Sequence, residues 1–295
     1  MTRGEIPLGE WLRAASRRLS DAGRDAPRLA AELLAGAVLG LGRTGLVIEA
    51  SRGLSGDEQA RLEALLARRE SGEPLAYILG KREFYGREFA VSPATLIPRP
   101  ETEHLVETAL EAFSDTASRV LFADLGTGSG CLAVTLAAER PAWRGLAADL
   151  SSPALAMAAA NARAHGVADR LLFCRADMHA PLLRPHSLDL LVSNPPYVSH
   201  DEYERVSDEV RHEPPSALMP LSLAACSSGG LESLERLITV AGLALKPGGL
   251  LLLEHGCTQA EAVRLCLLHN NWRKIRTIRD LAGHDRLTAA RKAVA

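Results

Sequence analysis

No apolar run in this 295-residue chain approaches the roughly 18 residues needed to cross a membrane, so no membrane association is expected. The opening Met1-Thr2-Arg3-Gly4-Glu5 lacks the apolar core of a secretory signal, which puts the expected location in the cytoplasm. Cysteine is sparse, and Cys131, Cys174, Cys226, Cys257 and Cys266 form no C-x-x-C pair. Free thiols in a reducing compartment are therefore expected, without a zinc or other metal site. An excess of one charge is missing too. The 34 basic and 36 acidic residues leave a net charge of -2, with no general electrostatic footprint for nucleic acid, so no direct nucleic-acid partner is expected. What is present is an ordinary globular composition, 47% hydrophobic, in a chain long enough for one large domain or two modest ones.

Two domains and a connector can be read along the chain. Residues 1–72 are helical in pattern from Glu10 to Ser71. Asp25-Ala26-Pro27 has the form of an N-cap and proline start for a helix bearing Leu29, Leu33, Leu34 and Val38. Ser55 and Glu58 have the spacing of a capping box, and the helix after them places Leu62, Leu65 and Leu66 on one face before Gly72 and Pro74 end it. This bundle has no chemical motif, so it is read as a docking element for a protein partner; the plain alternative is a packing appendage. Residues 73–100 form a connector in which Phe84-Tyr85-Gly86-Arg87-Glu88-Phe89 suits a hairpin. Residues 101–295 alternate strand and helix, with strands near 120–124, 145–149, 171–175, 188–193 and 249–255 and a final pair near 274–279 and 286–291. Lys246-Pro247-Gly248-Gly249 reads as a turn before the fifth of these. Such alternation predicts an α/β domain, a mostly parallel sheet with helices on both faces, whose ligands bind beyond the carboxyl ends of the strands.

Three features fall at those ends. The strand Leu188–Ser193 runs into Asn194-Pro195-Pro196-Tyr197. The prolines stop the strand and remove two donors, leaving a stiff turn that presents carbonyl oxygens. Two such acceptors suit the two hydrogens of a planar –NH2 group, and Tyr197 can lie on its face; the plain alternative is a loop initiator. Upstream, the apolar strand ending at Asp124-Leu125 enters Gly126-Thr127-Gly128-Ser129-Gly130 and then a small-residue helix. Glycines let a ligand approach the backbone, and the helix start offers free N–H groups. Asp149, about 20 residues on at the next strand end, is placed to accept from ribose hydroxyls, and Ser152-Pro153 reads as a helix start. These features fit any nucleotide-containing cofactor. A dinucleotide fingerprint counted from Gly126 needs Gly or Ala at position 131, where Cys131 stands.

The run Asp124-x-Gly126-x-Gly128-x-Gly130, with the Asn-Pro-Pro-Tyr turn after the fourth strand, resembles class I S-adenosylmethionine-dependent methyltransferases that modify planar nitrogens. Further segments narrow the resemblance: Glu73-Pro74-Leu75-Ala76-Tyr77-Ile78-Leu79-Gly80, Leu96-Ile97-Pro98-Arg99-Pro100-Glu101-Thr102-Glu103, Leu252-Leu253-Glu254-His255-Gly256 and Asp280-Leu281-Ala282-Gly283-His284-Asp285-Arg286 are similar to the release factor glutamine methyltransferases, the HemK/PrmC family. The match runs from Glu73 to Arg291. The resemblance implies a Rossmann-like domain with a mostly parallel seven-stranded sheet and an N-terminal helical bundle. It implies methylation of the glutamine N5 in the Gly-Gly-Gln loop of class 1 release factors, with S-adenosyl-L-methionine as donor and S-adenosyl-L-homocysteine as product. It assigns the cofactor to Asp124, Gly126, Thr127, Gly128, Ser129, Gly130, Asp149, Asp177, Met178 and Asn194, with Met178 in the place of a larger residue near the adenine. It gives catalysis to Asn194, Pro195 and Tyr197, the Asn194 side-chain oxygen and Pro195 carbonyl accepting the two amide hydrogens. Substrate contacts fall to Asn194, Pro195, Pro196, Tyr197 and Arg99. A monomer is expected. The segment 219–230 departs from the family's usual Gly-Gly-x-Asp-Gly-Leu run.

Several of these residues have plainer readings. Asp124 either touches the methionine amine or holds the glycine turn. Arg99 either contacts the substrate loop or orders the interdomain hinge, Glu101 and Glu103 are read as complementing the dipole of the following helix, and His255 as a structural or pocket-edge residue. Three rivals remain: an adenine N6-methyltransferase, which would be expected to have a basic groove, a ribosomal-protein glutamine methyltransferase, and a non-catalytic module with a relic fold.

Overall fold

A computed structural model describes residues 6–180, 183–220 and 230–294 of the chain, so Cys226 and most of the departing 219–230 segment lie outside the described residues. The chain divides into two compact units, one of Met1–Gly80 with Ser207–His212, the other of Lys81–Val206 with Glu213–Ala295.

The first unit is helical: α1 (Leu8–Asp21), α2 (Pro27–Leu39), α3 (Arg43–Ile48), α4 (Gly56–Glu70) and α5 (Leu75–Leu79). Helix α1 buries Leu8, Trp11, Ala15 and Leu19, a stripe at three- and four-residue spacing, in a core shared with Leu34, Leu62 and Leu66. Both bonds of the capping box form at the start of α4, Glu58 N–H to Ser55 Oγ at 3.3 Å and Ser55 N–H to Glu58 Oε2 at 2.9 Å. The start of α2 differs from expectation. Ala26, at φ 44°, takes the cap position and no side chain caps the helix, so Asp25 plays no such part; Pro27 at the first position sets the start by its fixed φ. Helix α5 adds Ile78 to the same core, and the unit boundary falls at Gly80 rather than 72 because that helix buries its apolar face there. Arg69, 3% exposed, donates to the Glu73 carbonyl and to Glu209, both at 3.0 Å, which ties Ser207–His212 to α4.

The second unit opens with the hairpin of β1 (Lys81–Phe84) and β2 (Arg87–Ala90), turned by Tyr85 and Gly86 at φ 52° and 68°. Then come helix α6 (Glu103–Ala112), β3 (Leu121–Leu125), α7 (Cys131–Glu139), β4 (Arg144–Asp149), α8 (Ser152–Ala164), β5 (Leu171–Arg175), β6 (Leu188–Ser193), a helix over Leu231–Ala244, β7 (Leu245–Glu254), a helix over Ala260–His269, β8 (Arg273–Arg279) and β9 (Asp285–Arg291). The seven larger strands form one sheet in the order β5-β4-β3-β6-β7-β9-β8, parallel from β5 to β7 and antiparallel through β9 and β8. Leu250, Leu251, Leu252 and Leu253 of β7 are all buried, the continuous apolar run expected where helices cover both faces. Sequence order reverses between β3 and β6, which opens a crevice at their carboxyl ends.

Two local expectations are corrected. The N-cap of α8 is Ser151, whose hydroxyl accepts from Ala154 N–H, so Ser152 is the first helical residue and Pro153 the second. Lys246–Gly249 lies inside β7, not before it: the strand begins at Leu245, paired with Leu188, and absorbs a register irregularity with Gly248 at φ 78°. Among the described residues no helix is long and apolar enough to cross a membrane.

Candidate active site

The chain reverses after β3 through three left-handed glycines, Gly126, Gly128 and Gly130, at φ 78°, 54° and 80°. Gly126 and Thr127 both donate their N–H to the Ala148 carbonyl, at 2.9 and 3.0 Å, which ties the turn to β4. A Cβ on Gly126 would stand 2.8 Å from Met178 Cε, and one on Gly130 would stand 2.9 Å from Ala158 Cβ. Gly128 has open space on that side, so the backbone is bare where a ligand would pass. Asp124 lies beneath, fully buried; its Oδ2 accepts from the Thr127 hydroxyl at 2.6 Å and from Ala133 N–H at 3.2 Å, while Oδ1 has no partner. Burial pushes this carboxyl up to about 7, against the opposing pull of those two bonds. Of the two roles read for Asp124, holding the turn is the one with contacts.

Asp149 ends β4 and uses both oxygens on backbone, accepting from Gly128 N–H at 2.9 Å and Ser151 N–H at 2.8 Å. A cavity of about 540 Å³ opens above these groups. Gly126, Thr127, Gly128, Ser129, Asp149, Asp177, Met178, Asn194, Pro196 and Arg99 all line it. The expected residues Asp124, Gly130, Pro195 and Tyr197 are not among its lining residues. Arg99 pairs with Glu213, a carboxylate 2% exposed that also accepts Ile97 N–H at 3.0 Å, so the guanidinium at the cavity wall is tethered to a buried anion. Glu103 heads α6 and accepts Tyr85 N–H at 3.0 Å.

From Asn194 runs a hydrogen-bonded chain that sequence reasoning missed, beginning at Thr102, which also lines the cavity. Asn194 Nδ2 donates to Thr102 Oγ1 at 3.2 Å, and the Thr102 hydroxyl donates to Glu254 Oε2 at 2.7 Å. The Tyr197 hydroxyl donates to the other oxygen of Glu254 at 3.2 Å, and the Tyr197 carbonyl accepts from Gln259 Nε2 at 3.0 Å. Burial raises the Glu254 carboxyl to about 7 and raises the Tyr197 phenol too, so the latter stays a neutral donor. One signal was available: Glu254 is an acid at the carboxyl end of a strand whose four preceding residues are leucine. His255 next to it is buried between the Gly256 carbonyl, 3.0 Å, and Thr288 Oγ1, 2.8 Å, and burial lowers its affinity for a proton. It is a structural residue.

Comparison with known proteins adds to this geometry. Residues 10–80 match the family model described as PrmC N-terminal domain, and residues 102–220 match that described as Methyltransferase small domain. The chain is 50% identical over 284 residues to the release factor glutamine methyltransferase of Nitratidesulfovibrio vulgaris, covering 95% of this chain and 94% of that one. It is 37% identical to the release factor glutamine methyltransferase of Escherichia coli, covering 95% and 97%. Among solved structures, a methyltransferase from Pyrococcus furiosus matches 81% of this chain and 100% of its own, with a TM-score of 0.52 at 16% identity, a likeness of fold.

Proposed function

This chain belongs to the release factor glutamine methyltransferase family, and from that premise we propose that it transfers a methyl group to the N5 amide nitrogen of the glutamine in the Gly-Gly-Gln loop of class 1 peptide chain release factors. The observation that carries the proposal is that Asn194 and the bare loop Gly126–Ser129 line the same cavity, so an amide acceptor and a cofactor cradle face one space.

The residues present fit S-adenosylmethionine. The glycine turn leaves backbone exposed where a Cβ would intrude, and Asp149 at the strand end has lone pairs beyond those it spends on Gly128 and Ser151. Gly126–Ser129 would hold the methionine part, Asp149 the ribose hydroxyls, and Asp177 with Met178 the adenine, Met178 supplying a pliable apolar cover. When bound, the cofactor supplies an electrophilic methyl group on a positively charged sulfur.

The protein's task is then to make an amide nitrogen react, although its lone pair is delocalised into its own carbonyl. Asn194 spends Nδ2 on Thr102, which turns its carbonyl oxygen the other way, and the Pro195 carbonyl beside it, although Pro195 does not line the cavity, would be the second acceptor of the pair. Two fixed acceptors orient the substrate –NH2 and favour the positive charge that grows on nitrogen. No strong base is required, because the methylated nitrogen is acidic enough to release its proton to water. Tyr197, held by Glu254 and by Gln259, would flank the amide plane as a fixed wall. The helical unit would dock the release factor and Arg99 would meet the arriving loop. In this reading the enzyme acts as a monomer in the cytoplasm, beside the translation machinery.

The test is incubation of the pure enzyme with methyl-labelled S-adenosylmethionine and, in parallel, a class 1 release factor, a ribosomal-protein fraction and oligonucleotides containing adenine. Label on the release factor alone is expected. Label on nucleic acid or on a ribosomal protein instead would replace the substrate assigned here.

A further inference from the structure

The tetrapeptide Asn194-Pro195-Pro196-Tyr197 is held at both ends by a single buried carboxylate. Glu254, 2% exposed, takes the Tyr197 hydroxyl on Oε1 and the Thr102 hydroxyl on Oε2, and Thr102, also 2% exposed, takes Asn194 Nδ2. The elements involved are distant in sequence: Thr102 closes a 3-10 turn before α6, Asn194 follows β6, and Glu254 ends β7. Their meeting at one point is a product of the fold.

Donor and acceptor logic gives this chain a direction. An ionised carboxylate only accepts, so the Thr102 hydroxyl must spend its one proton on Glu254. The 2.7 Å separation is a well-formed hydroxyl–carboxylate hydrogen bond. Thr102 Oγ1 can then only accept from Asn194, and of the two ends of that amide only Nδ2 can donate. The carbonyl oxygen is thereby fixed on the opposite side. Resting on the substrate reading above, we propose that Thr102 and Glu254 are positioning residues, which set the orientation of the Asn194 amide so that its oxygen, not its –NH2, meets the substrate nitrogen. With the amide reversed, –NH2 would face –NH2 and the site would repel its substrate.

The same logic makes the orientation depend on the charge of Glu254. A protonated Glu254 can itself donate to Thr102 Oγ1, which frees the Thr102 proton to bond the Asn194 oxygen and reverses the amide. The groups facing Glu254 are Thr102 and Glu101 from the turn before α6, Tyr197 from the tetrapeptide, Arg286 from β9 and Cys131 from the start of α7. Of these Arg286 favours the charged form, as do the two hydrogen bonds, while burial and Glu101 oppose it. Tyr197 and Cys131 are both raised by burial and stay neutral, so Glu254 is the member of the group that titrates in the neutral range. Activity requiring its ionised form rises with pH across that range and then levels.

The test uses the full-length enzyme with intact release factor and compares Thr102→Val, close in shape but without the hydroxyl, with Thr102→Ser, which keeps it. Thr102→Val is expected to lower kcat at least tenfold, to leave KM for the release factor and the dissociation constant for S-adenosylmethionine within about twofold, and to flatten the acid limb of the kcat–pH profile, since Asn194 is uncoupled from Glu254. Thr102→Ser is expected to restore both kcat and the acid limb. Glu254→Gln should also flatten the limb, because the group that titrates is gone. Wild-type kcat in Thr102→Val, or a valine variant that keeps the acid limb, overturns the positioning role while leaving the substrate reading intact. A wild-type enzyme that leaves the release factor unmethylated overturns both.

Discussion

At the scale of single residues, Asn194 and Asp124 are two buried or half-buried polar groups with opposite duties. Asn194 faces the cavity, and on the function proposed above its loss removes an acceptor that orients the substrate amide and favours the charge growing on it. Asn194→Ala should leave the thermal midpoint nearly unchanged and lower methyl transfer by about a hundredfold or more, as loss of a charge-stabilising group does; activity falling only in step with stability would make Asn194 a structural residue. Asp124 holds the glycine turn through Thr127 and Ala133, and burial pushes its carboxyl up from 3.8 to about 7. A raised acid binds its proton more tightly when folded, so its contribution to stability is greatest at low pH and is lost as pH rises from about 4 through about 7. The proton belongs on the partnerless Oδ1, which leaves the bonds from Thr127 and Ala133 on Oδ2 undisturbed. Asp124→Asn should therefore show a shallower fall in melting temperature between pH 5 and 7 than the wild type, a difference that calorimetry at three pH values would detect. The types of these residues were legible in the sequence, and Asn194 stood out there by its place in the Asn-Pro-Pro-Tyr turn. Thr102 and Glu254 were legible only as members of family-like segments, because a hydrogen bond between residues 152 positions apart leaves no periodic trace in either segment.

At the scale of elements, the sheet reads well because β3, β6 and most of β7 are apolar runs that are almost wholly buried. The expected strands at 171–175 and 188–193 coincide with β5 and β6. Boundaries fail where backbone and not side-chain pattern decides. Pro247 and the two glycines after it look like a turn and have no partner on β6, yet Leu245 before them already pairs with Leu188, so β7 spans them as an irregularity. Ser151 caps α8 in place of Ser152, since two adjacent serines offer the same oxygen one residue apart. Close packing between strands leaves no pattern at all. Gly145 of β4 is paired with Phe122 of β3, and a Cβ added to it would fall 2.3 Å from the phenylalanine ring. Gly145→Ala should cost about 1–3 kcal/mol by overpacking, read from the urea midpoint at unchanged slope. A wild-type midpoint would mean that the ring has room to yield.

At the scale of the whole molecule, two units divide the labour. Among the described residues, all those lining the cavity belong to the unit of Lys81–Val206 and Glu213–Ala295, and none to the helical unit. Removing residues 1–80 should accordingly leave cofactor affinity within about twofold, lower kcat/KM on intact release factor by at least about tenfold, and change little on a short Gly-Gly-Gln peptide, because remote binding energy is available only to the full substrate. Equal losses on protein and peptide would assign the helices a supporting role. The helical character of this unit was legible from capping and periodicity; its closing boundary was not, since α5 carries the unit on to Gly80 and Ser207–His212 joins it from far along the chain. The measurement closest to the central claim is the position of the transferred methyl group. Intact class 1 release factor, methylated by the full-length enzyme and digested, should yield one modified peptide, with the methyl on the side-chain nitrogen of the glutamine in Gly-Gly-Gln. A methyl group on any other residue or atom, or on nucleic acid present in the reaction, would contradict the account.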